Sequence, residues 1–459
     1  MADRVSAPHK TTVLVVSTWG AFLTPFMSSS VNVALPSIGR EFQLTAVALG
    51  WVATSFILAA AIFLVPFGKF ADIHGRKKIF SWGSLVYALA SFASAVAFSP
   101  FVLLASRVIQ GMGGAMIFST GVAMLTSAYP LSERGKVLGI NVSSTYLGLS
   151  LGPVLGGLMT QHLGWRSIFW ANGALGLLLF GLVIVNLKEE WAEAQGEKFD
   201  AAGSAVLGLT LVAVMLGLSR LPKALGGLLI LAGFVGIVGF VRLETKTANP
   251  VLNMALFRKN TVFAFSNLAA LINYCATTAA GFLLSLYLQY IKGLSPQKAG
   301  LILIAQPVVM AVFSPLAGRL SDRIEPRFIA SAGMGISALG LLLLSFIGRA
   351  TVLGFIGGAL VVLGFGFALF SSPNTNAVMS SVEKRFYGVA SATLGTMRLT
   401  GQMLSMGIAM LIFSLFLGKA QIAPPVFPQF LAALRTAFWF FAALCLGGVF
   451  ASMSRGKLR

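Results

Sequence analysis

Acidic side chains are scarce in this sequence: 13 Asp and Glu stand among 459 residues, and charged residues of both signs make up only 10%, against roughly 25% in ordinary soluble domains. Cysteine is nearly absent, and Cys275 and Cys445 both lie inside apolar runs, so there is no disulfide framework and no thiolate metal site. Three histidines, His9, His74 and His162, are too few and too scattered for zinc. No nucleophile–base pair and no phosphate-cradling loop is present. The cluster Gly111-Met112-Gly113-Gly114 follows no strand and reads as helix packing. The sequence therefore predicts no enzyme, no metal and no cofactor.

What is abundant is apolar surface. Hydrophobic residues are 57% of the chain and the mean hydropathy is +0.88. Such a chain could not cover a water-facing surface with polar groups, which excludes a soluble enzyme, a disordered chain and a disulfide-stapled secreted module. An all-α integral membrane protein remains, with lipid covering the exterior. The 50 glycines fit helices that approach one another closely in a bilayer.

A spanning helix needs about 20 mostly apolar residues. Fourteen stretches qualify: 11–36, 45–68, 79–98, 101–128, 137–161, 167–187, 201–219, 224–242, 260–290, 297–317, 327–347, 351–380, 386–416 and 433–453. The run from Val13 is too long for a signal-peptide core and reads as the first span. The net charge of +20 is spread over many short loops, which argues for retention of Lys and Arg on the cytoplasmic side rather than for a nucleic-acid partner. With the N-terminus inside, the inner segments hold 22 Lys and Arg. The outer loops hold 9: Arg40, Arg166, Arg220, Lys223, Lys292, Lys298, Arg349, Lys419 and Arg435. Both termini are therefore expected in the cytoplasm of a multi-pass protein of the cell (inner) membrane. The inner loop from Lys188 to Asp200 is net acidic, but acidic residues count little in this rule.

Two loops resemble each other about 250 positions apart. GKFADIHGRKK at 68–78 and GRLSDRIEPR at 318–327 each end the second span of a half and begin the third. A duplicated six-helix unit with spans seven and eight between the copies explains this. The first loop resembles the signature between helices 2 and 3 of the major facilitator superfamily. RVIQGMG at 107–113 in span four is similar to that family's arginine-bearing motif. GLSLGPVLGG at 148–157 in span five is similar to its antiporter motif. Fourteen spans, with VNVALP at 31–36 in span one, resemble the fourteen-helix drug/proton antiporter branch. The resemblance covers the whole chain. It implies a major facilitator fold of two six-helix bundles with a pseudo-two-fold repeat plus two linker transmembrane helices, divided as 1–190, 191–258 and 259–459. It also implies a secondary transporter that exports amphipathic small molecules by alternating access, with protons as the coupling ion.

Each motif has a physical reading. In the 68–78 loop, Gly68 and Gly75 permit tight turns, and Asp72 can cap a helix start or pair with a basic residue across the two halves. With Arg76, Asp322 and Arg323 these residues form a candidate cytoplasmic gate, against the simpler reading of a topology anchor. In span five, Ser144, Gly148, Gly152 and Gly156 recur every four residues and line one helix face. Pro153 can kink that helix, and Gly157 completes the motif. The stripe lets another helix come close; a seal against leak is the role implied by the antiporter resemblance.

Two arginines fall inside spans. Arg107 lies roughly 9 Å along span four from its outer end, where snorkelling to the interface is one alternative. Arg398 lies near mid-membrane, sharing a face with Ser391, Gln402 and Ser405, and is expected in a watery cavity. Both are candidates for coupling or charge relay. All thirteen acidic residues, from Asp3 to Glu383, sit in loops or at helix ends. The branch this chain resembles usually carries an aspartate five positions before the asparagine matching Asn32; here Met27 takes its place. A permanent cation would meet two arginines and no opposing charge, so a neutral or anionic substrate fits better, and proton coupling would need Asp72, a substrate carboxyl or a water path. Met27, Asn32, Met116, Asn141, Tyr146, Asn273, Tyr274, Gln306, Asn374, Arg398 and Gln402 are the candidate cavity wall, with interhelical packing as the competing role. Export of amphipathic compounds is the main expectation, and a carrier for organic anions or lipid-like acids the alternative. A receptor or scaffold would need a soluble domain or long tail, neither of which is evident. The expected partners are the lipid bilayer, a small-molecule substrate and protons, and one chain holding both bundles can act as a monomer.

Overall fold

A computed structural model describes residues 7–247, 250–252, 254–383 and 387–456. Asp3, Arg4, Lys384, Arg385, Lys457, Arg459 and the side chain of His9 lie outside the described residues. Fourteen long helices account for most of the described residues. They are α1 (Ala7–Phe42), α2 (Ala46–His74), α3 (Arg76–Ala95), α4 (Pro100–Ala128), α5 (Leu131–His162), α6 (Arg166–Asn186), α7 (Ala201–Arg220) and α8 (Ala224–Glu244). A short helix, Met254–Lys259, precedes the rest. They are α9 (Thr261–Ile291), α10 (Pro296–Ser321), α11 (Pro326–Leu344), α12 (Leu353–Ser380), α13 (Tyr387–Leu417) and α14 (Phe427–Met453).

Local chemistry sets several starts. The side chains of Thr45, Ser99, Asp200, Asn260 and Ser295 each accept a bond from the backbone N–H three residues on, satisfying a donor that the first helical turn leaves orphaned. Proline follows Ser99 and Ser295 at the first helical position, where its missing N–H costs nothing. Thirteen of the fourteen helices are long and apolar enough to cross a membrane. The exception, α3, is diluted by serines. Ser81, Ser84, Ser91 and Ser94 return their hydroxyls to the carbonyl four residues back, at 2.7–2.9 Å, so its polar groups are satisfied within the helix. Large apolar side chains such as Phe98, Phe101 and Phe450 stand on the outer surface, where lipid covers them.

Helix ends run past the apolar windows. The first helix extends to Phe42 and the last begins at Phe427. Arg435, expected in an outer loop, therefore lies inside α14 and donates through Nε to the Ile347 carbonyl at 2.7 Å. Hydropathy detects only the hydrocarbon-embedded part of a helix, and these ends continue into the interface.

The repeat is visible in the packing. In the first bundle α1 packs on α5, α3 on α4, α2 on α4 and α3 on α6. In the second, α9 packs on α13, α11 on α12, α10 on α12 and α11 on α14, the same pairs shifted by eight helices. Between bundles α2 meets α13 and α5 meets α10, again related by the two-fold, while α1 meets α9 near the axis. Helix α7 lies on the seam against α2 and α13, and α8 leans on α7 with most of its surface facing lipid.

An even number of crossings puts both ends of the chain at one end of the bundle, here the terminal end. Among the described residues, the hydrogen bonds joining the two bundles run from mid-depth to the far end. Ser285 Oγ donates to the Asn32 carbonyl at 2.6 Å, Gln289 Nε2 to the Val33 carbonyl at 2.9 Å and Gln421 Nε2 to the Gln43 carbonyl at 2.9 Å. The glycine stripe of α5 packs on α1. A Cβ at Gly148 would stand 2.6 Å from the Phe22 carbonyl oxygen, and one at Gly156 would stand 2.7 Å from Ser30 Cα. Gly152 faces Ser29 and the Phe26 carbonyl. One position on, Gly157 meets the Pro296 carbonyl of α10 at 2.6 Å, and Gly300 of α10 presses on the Pro153 carbonyl. Replacing Gly156 with Leu should cost about 1–3 kcal/mol by overpacking and lower the melting temperature of purified protein. Gly139→Leu on the same helix, with open space around it, should not. Equal shifts for the two would remove the steric role assigned to the stripe.

Candidate functional site

Near the centre of the molecule four side chains from both bundles form a buried cluster: Tyr146 of α5, Tyr274 of α9, Met310 of α10 and Phe367 of α12. Tyr274 and Phe367 meet edge to face, with ring centroids 5.3 Å apart. Tyr146 Oη donates to Ser371 Oγ at 3.2 Å, a hydrogen bond between the bundles. Over the Tyr274 ring, 5.0 Å from its centroid, sits the guanidinium of Arg398 from α13. Arg398 is half-buried, and among the described residues no carboxylate pairs with it. A guanidinium over a ring gains about 0.5–2 kcal/mol, and the Tyr274 hydroxyl acts on it as well.

The helices around this cluster are irregular where the side chains need it. In α9 the helix is interrupted at Thr278. There the Thr278 hydroxyl donates to the Tyr274 carbonyl at 2.7 Å, and the Ala279 N–H is taken by Ser405 Oγ of α13 at 2.9 Å. In α10 the break at Ile304 precedes Pro307, which cannot donate to the Leu303 carbonyl. Non-helical backbone at this depth is tolerated where protein buries it or a cavity hydrates it.

The other candidates are placed differently. Met27 is fully buried in the apolar core of α1. Asn32 is half-buried, and its carbonyl holds Ser285. Met116 packs against Gly83 between α3 and α4. Asn141 donates to the Ser17 carbonyl at 3.1 Å, tying α5 to α1. Asn273 is fully buried towards Cys445 of α14. Asn374 donates to the Ser266 carbonyl at 3.1 Å and accepts from Arg455 at 3.1 Å. Gln306 and Gln402 are half-buried. The structure thus brings Tyr146, Tyr274 and Arg398 together, while Met27, Asn141, Asn273 and Asn374 are engaged in packing between helices.

Arg107 neither snorkels nor joins this cluster. It is fully buried inside the first bundle. Its Nε donates to the Val52 carbonyl at 3.2 Å and its Nη1 to Gln110 Oε1 at 2.5 Å. Gln110 Nε2 passes the network on to Ser91 Oγ at 2.6 Å, and Phe56 covers the guanidinium at 4.7 Å.

The 68–78 loop is organised by a partner that sequence reading discounted. Among the described residues Asp72 pairs within its own loop rather than across the bundles; its Oδ1 accepts from Arg76 Nε at 2.7 Å. Arg76 also grips Glu193 of the acidic loop through Nη1 at 2.8 Å and Nη2 at 3.0 Å, and Ser127 of α4 at 2.5 Å. Glu190 accepts from the backbone of Lys77 and Lys78 at the start of α3, and Lys69 pairs with Glu197 at 2.5 Å. Gly75 holds φ +115°, which favours glycine, whereas a Cβ at Gly68 would find ordinary contact at 3.6 Å. In the second bundle Asp322 accepts from Asn376 at 3.3 Å, and Arg323 is exposed.

Met310, Phe367, Ser371, Glu190 and Glu193 were not anticipated. The acid excess of the 188–200 loop was the signal for the last two; the first two are apolar residues in apolar spans and stand out in no pattern.

Comparison with known proteins bears on all of this. The profile of the Major Facilitator Superfamily matches residues 18–266 and 266–455. The chain is 27% identical over 448 residues to the riboflavin transporter RibZ of Clostridioides difficile, covering 96% of both proteins. It is 30% identical over 403 residues to the multidrug resistance protein Stp of Mycobacterium tuberculosis, covering 86% of this chain and 74% of that one. Its fold is similar to a crystal structure of a bacterial homologue of the human lysosomal transporter Spinster, inward-facing and unoccupied, with a TM-score of 0.73 at 17% identity and 98% coverage of both chains.

The Glu193 contact makes a pH prediction. Burial alone would raise this carboxyl, but hydrogen bonds from Ser127 and Arg76 outweigh it and hold the group below its ordinary 4.5. The stability it contributes is present above that ordinary value and is lost as pH falls through the lowered one. Because Glu193 is largely exposed, the effect is at most about 1 kcal/mol. Thermal unfolding of Glu193→Gln should show a small deficit at neutral pH that closes in acid; a deficit independent of pH would sink the ion-pair account.

Proposed function

The chain belongs to the major facilitator superfamily, and from that premise we propose that it is a secondary active transporter exporting amphipathic, aromatic small molecules of neutral or anionic character. The observation carrying this reading is the Arg398 guanidinium, stacked on Tyr274 between the bundles and paired with no carboxylate among the described residues. A flat ligand can stack in an aromatic site of this kind, and an acceptor on it can take the planar donors of the arginine. The relatives whose names refer to riboflavin and to multidrug resistance support a carrier of organic small molecules. Antiport by alternating access is the expected mode. Proton coupling remains part of the proposal, with the proton carried by the substrate's own acid group or by groups outside the cluster. In this reading the units are 1–190, 191–258 and 259–459, and the protein acts as a monomer in the cell membrane. The Lys and Arg bias supports a cytoplasmic location for both termini; with that orientation, the hydrogen bonds that join the bundles from mid-depth to the far end among the described residues support an inward-facing state.

A carrier restricted to organic anions or lipid-like acids is the second reading, favoured by the same arginine. Reconstituted protein assayed with matched anionic, neutral and permanently cationic aromatic probes separates the two. Under the main proposal, anionic and neutral probes move and the cation does not. Arg398→Ala weakens the anion by about 10–100-fold, the worth of a charge-assisted hydrogen bond, and affects the neutral probe less. Movement of the anion alone selects the second reading. Robust pumping of the cation, untouched by Arg398→Ala, would overturn both.

A further inference from the structure

Away from the central cluster, at the terminal end of the linker helices, two carboxyls converge. Asp200 caps α7, its Oδ1 accepting from the Gly203 N–H at 2.8 Å. Glu244 ends α8, is 2% exposed, and its Oε2 accepts from the Leu252 N–H at 2.7 Å. Their remaining oxygens, Oδ2 and Oε1, both press on the place where a Cβ at Gly203 would stand. Neither has a hydrogen-bond partner among the described residues.

Asp200 is half-buried and Glu244 buried, but the facing oxygens Oδ2 and Oε1 are both shielded from solvent, and two shielded carboxylate oxygens cannot face each other with both charges intact, because repulsion adds to the cost of desolvation. Among the described residues no salt bridge reaches either carboxyl. Lys198, Arg242 and Lys246, the basic residues closest in sequence, are exposed. Lys69 at the end of α2 is engaged with Glu197. No lysine, arginine or histidine of α2, α7, α8 or the 250–252 segment figures among the influences on Glu244; the charged neighbour acting on it is Asp200.

We propose that Asp200 and Glu244 form a proton-binding site: one proton, held between Oδ2 and Oε1, turns a repulsive contact into a carboxyl–carboxylate hydrogen bond. That bond joins the start of α7 to the end of α8. Through the Leu252 amide it also fixes the segment that leads into the second bundle. The pair titrates as a unit. Its Asp200 member directly follows the acidic loop that clamps the 68–78 turn, so losing the proton loosens the linker helices next to the candidate gate.

Full-length protein in detergent tests this through its melting temperature across pH, in wild type, Glu244→Gln and Asp200→Asn. In Glu244→Gln the side-chain amide can donate to Asp200 Oδ2 while its oxygen keeps the Leu252 bond, replacing the proton permanently. Wild type should lose melting temperature as pH rises and the shared proton leaves, since the folded state holds a proton that the unfolded chain releases at lower pH. Glu244→Gln should lack that component. Infrared spectra should show a protonated carboxyl band in wild type that the variant lacks. An unchanged pH profile together with an unchanged carboxyl band in Glu244→Gln would overturn the proposal. So would a wild-type melting temperature set by added sodium or magnesium rather than by pH, which would make the ligand a metal cation. If Glu244→Gln does not fold, Asp200→Asn decides by the same two readouts, its amide donating to Glu244 Oε1.

Discussion

Inside a bilayer a polar group that loses its partner has no water to turn to, and this constraint shapes most of the non-apolar chemistry in the molecule. It shows most plainly in three buried or half-buried arginines. Arg107 is closed off by a carbonyl, a glutamine and aromatic faces within the first bundle. Arg455 is closed off by Ser452, Asn374 and Ser266 at the end of the second. Arg398 has an aromatic face and little else. The first two are satisfied within one bundle. The third is the candidate site because it is not, and because it stands where α9, α12 and α13 meet α5 across the bundle interface.

The features legible in the sequence are those set by simple lengths and periods. Hydrocarbon thickness fixes how long a span must be, so the fourteen helices were countable, including α3 with its self-satisfied serines. A period of four is unambiguous on a helix, so the Gly148–Gly156 stripe could be assigned to one face, though not to the partner it packs on. Legibility ends at rotation. Asn141, Asn273 and Asn374 lie in the right helices for a cavity wall, yet each is turned towards a neighbouring helix, and no single-sequence pattern states how far a helix is rotated in its bundle. Met310 and Phe367 had no contrast with their surroundings. Glu193 was visible as an acid in an acid-rich loop, but its value comes from a chain reversal that folds that loop back onto Arg76, a tertiary fact without a local signature.

That reversal alters how the linker helices are understood. They are joined to the first bundle by more than sequence. Glu190, Glu193 and Glu197 fasten the 188–200 segment to both sides of the 68–78 turn, and the segment ends at Asp200, the cap of α7. Helix α7 in turn lies on α2 and α13, the pair that forms one of the two symmetric seams between bundles. The opposite seam, α5 with α10, has no such wedge and is closed instead by Gly157 against Pro296 and Gly300 against Pro153. The pseudo-two-fold symmetry of the bundles is therefore broken at the seams.

For bundles that rock about a central site, this asymmetry decides which contacts must yield. Opening the far end requires breaking the bonds from Ser285 and Gln289 to α1 and parting the glycine contacts of α5 and α10. These are backbone-close surfaces that either fit or separate, with little intermediate slack. On the other seam α7 is anchored to the first bundle through the acidic clamp and α2, and it rests on α13, where Gly407 leaves room for Met215 and Leu218. A smooth glycine surface on one helix and adaptable Met and Leu side chains on the other are what a sliding contact needs. Helix α7 is thus placed over the α2–α13 seam, with α8 packed on its outer side.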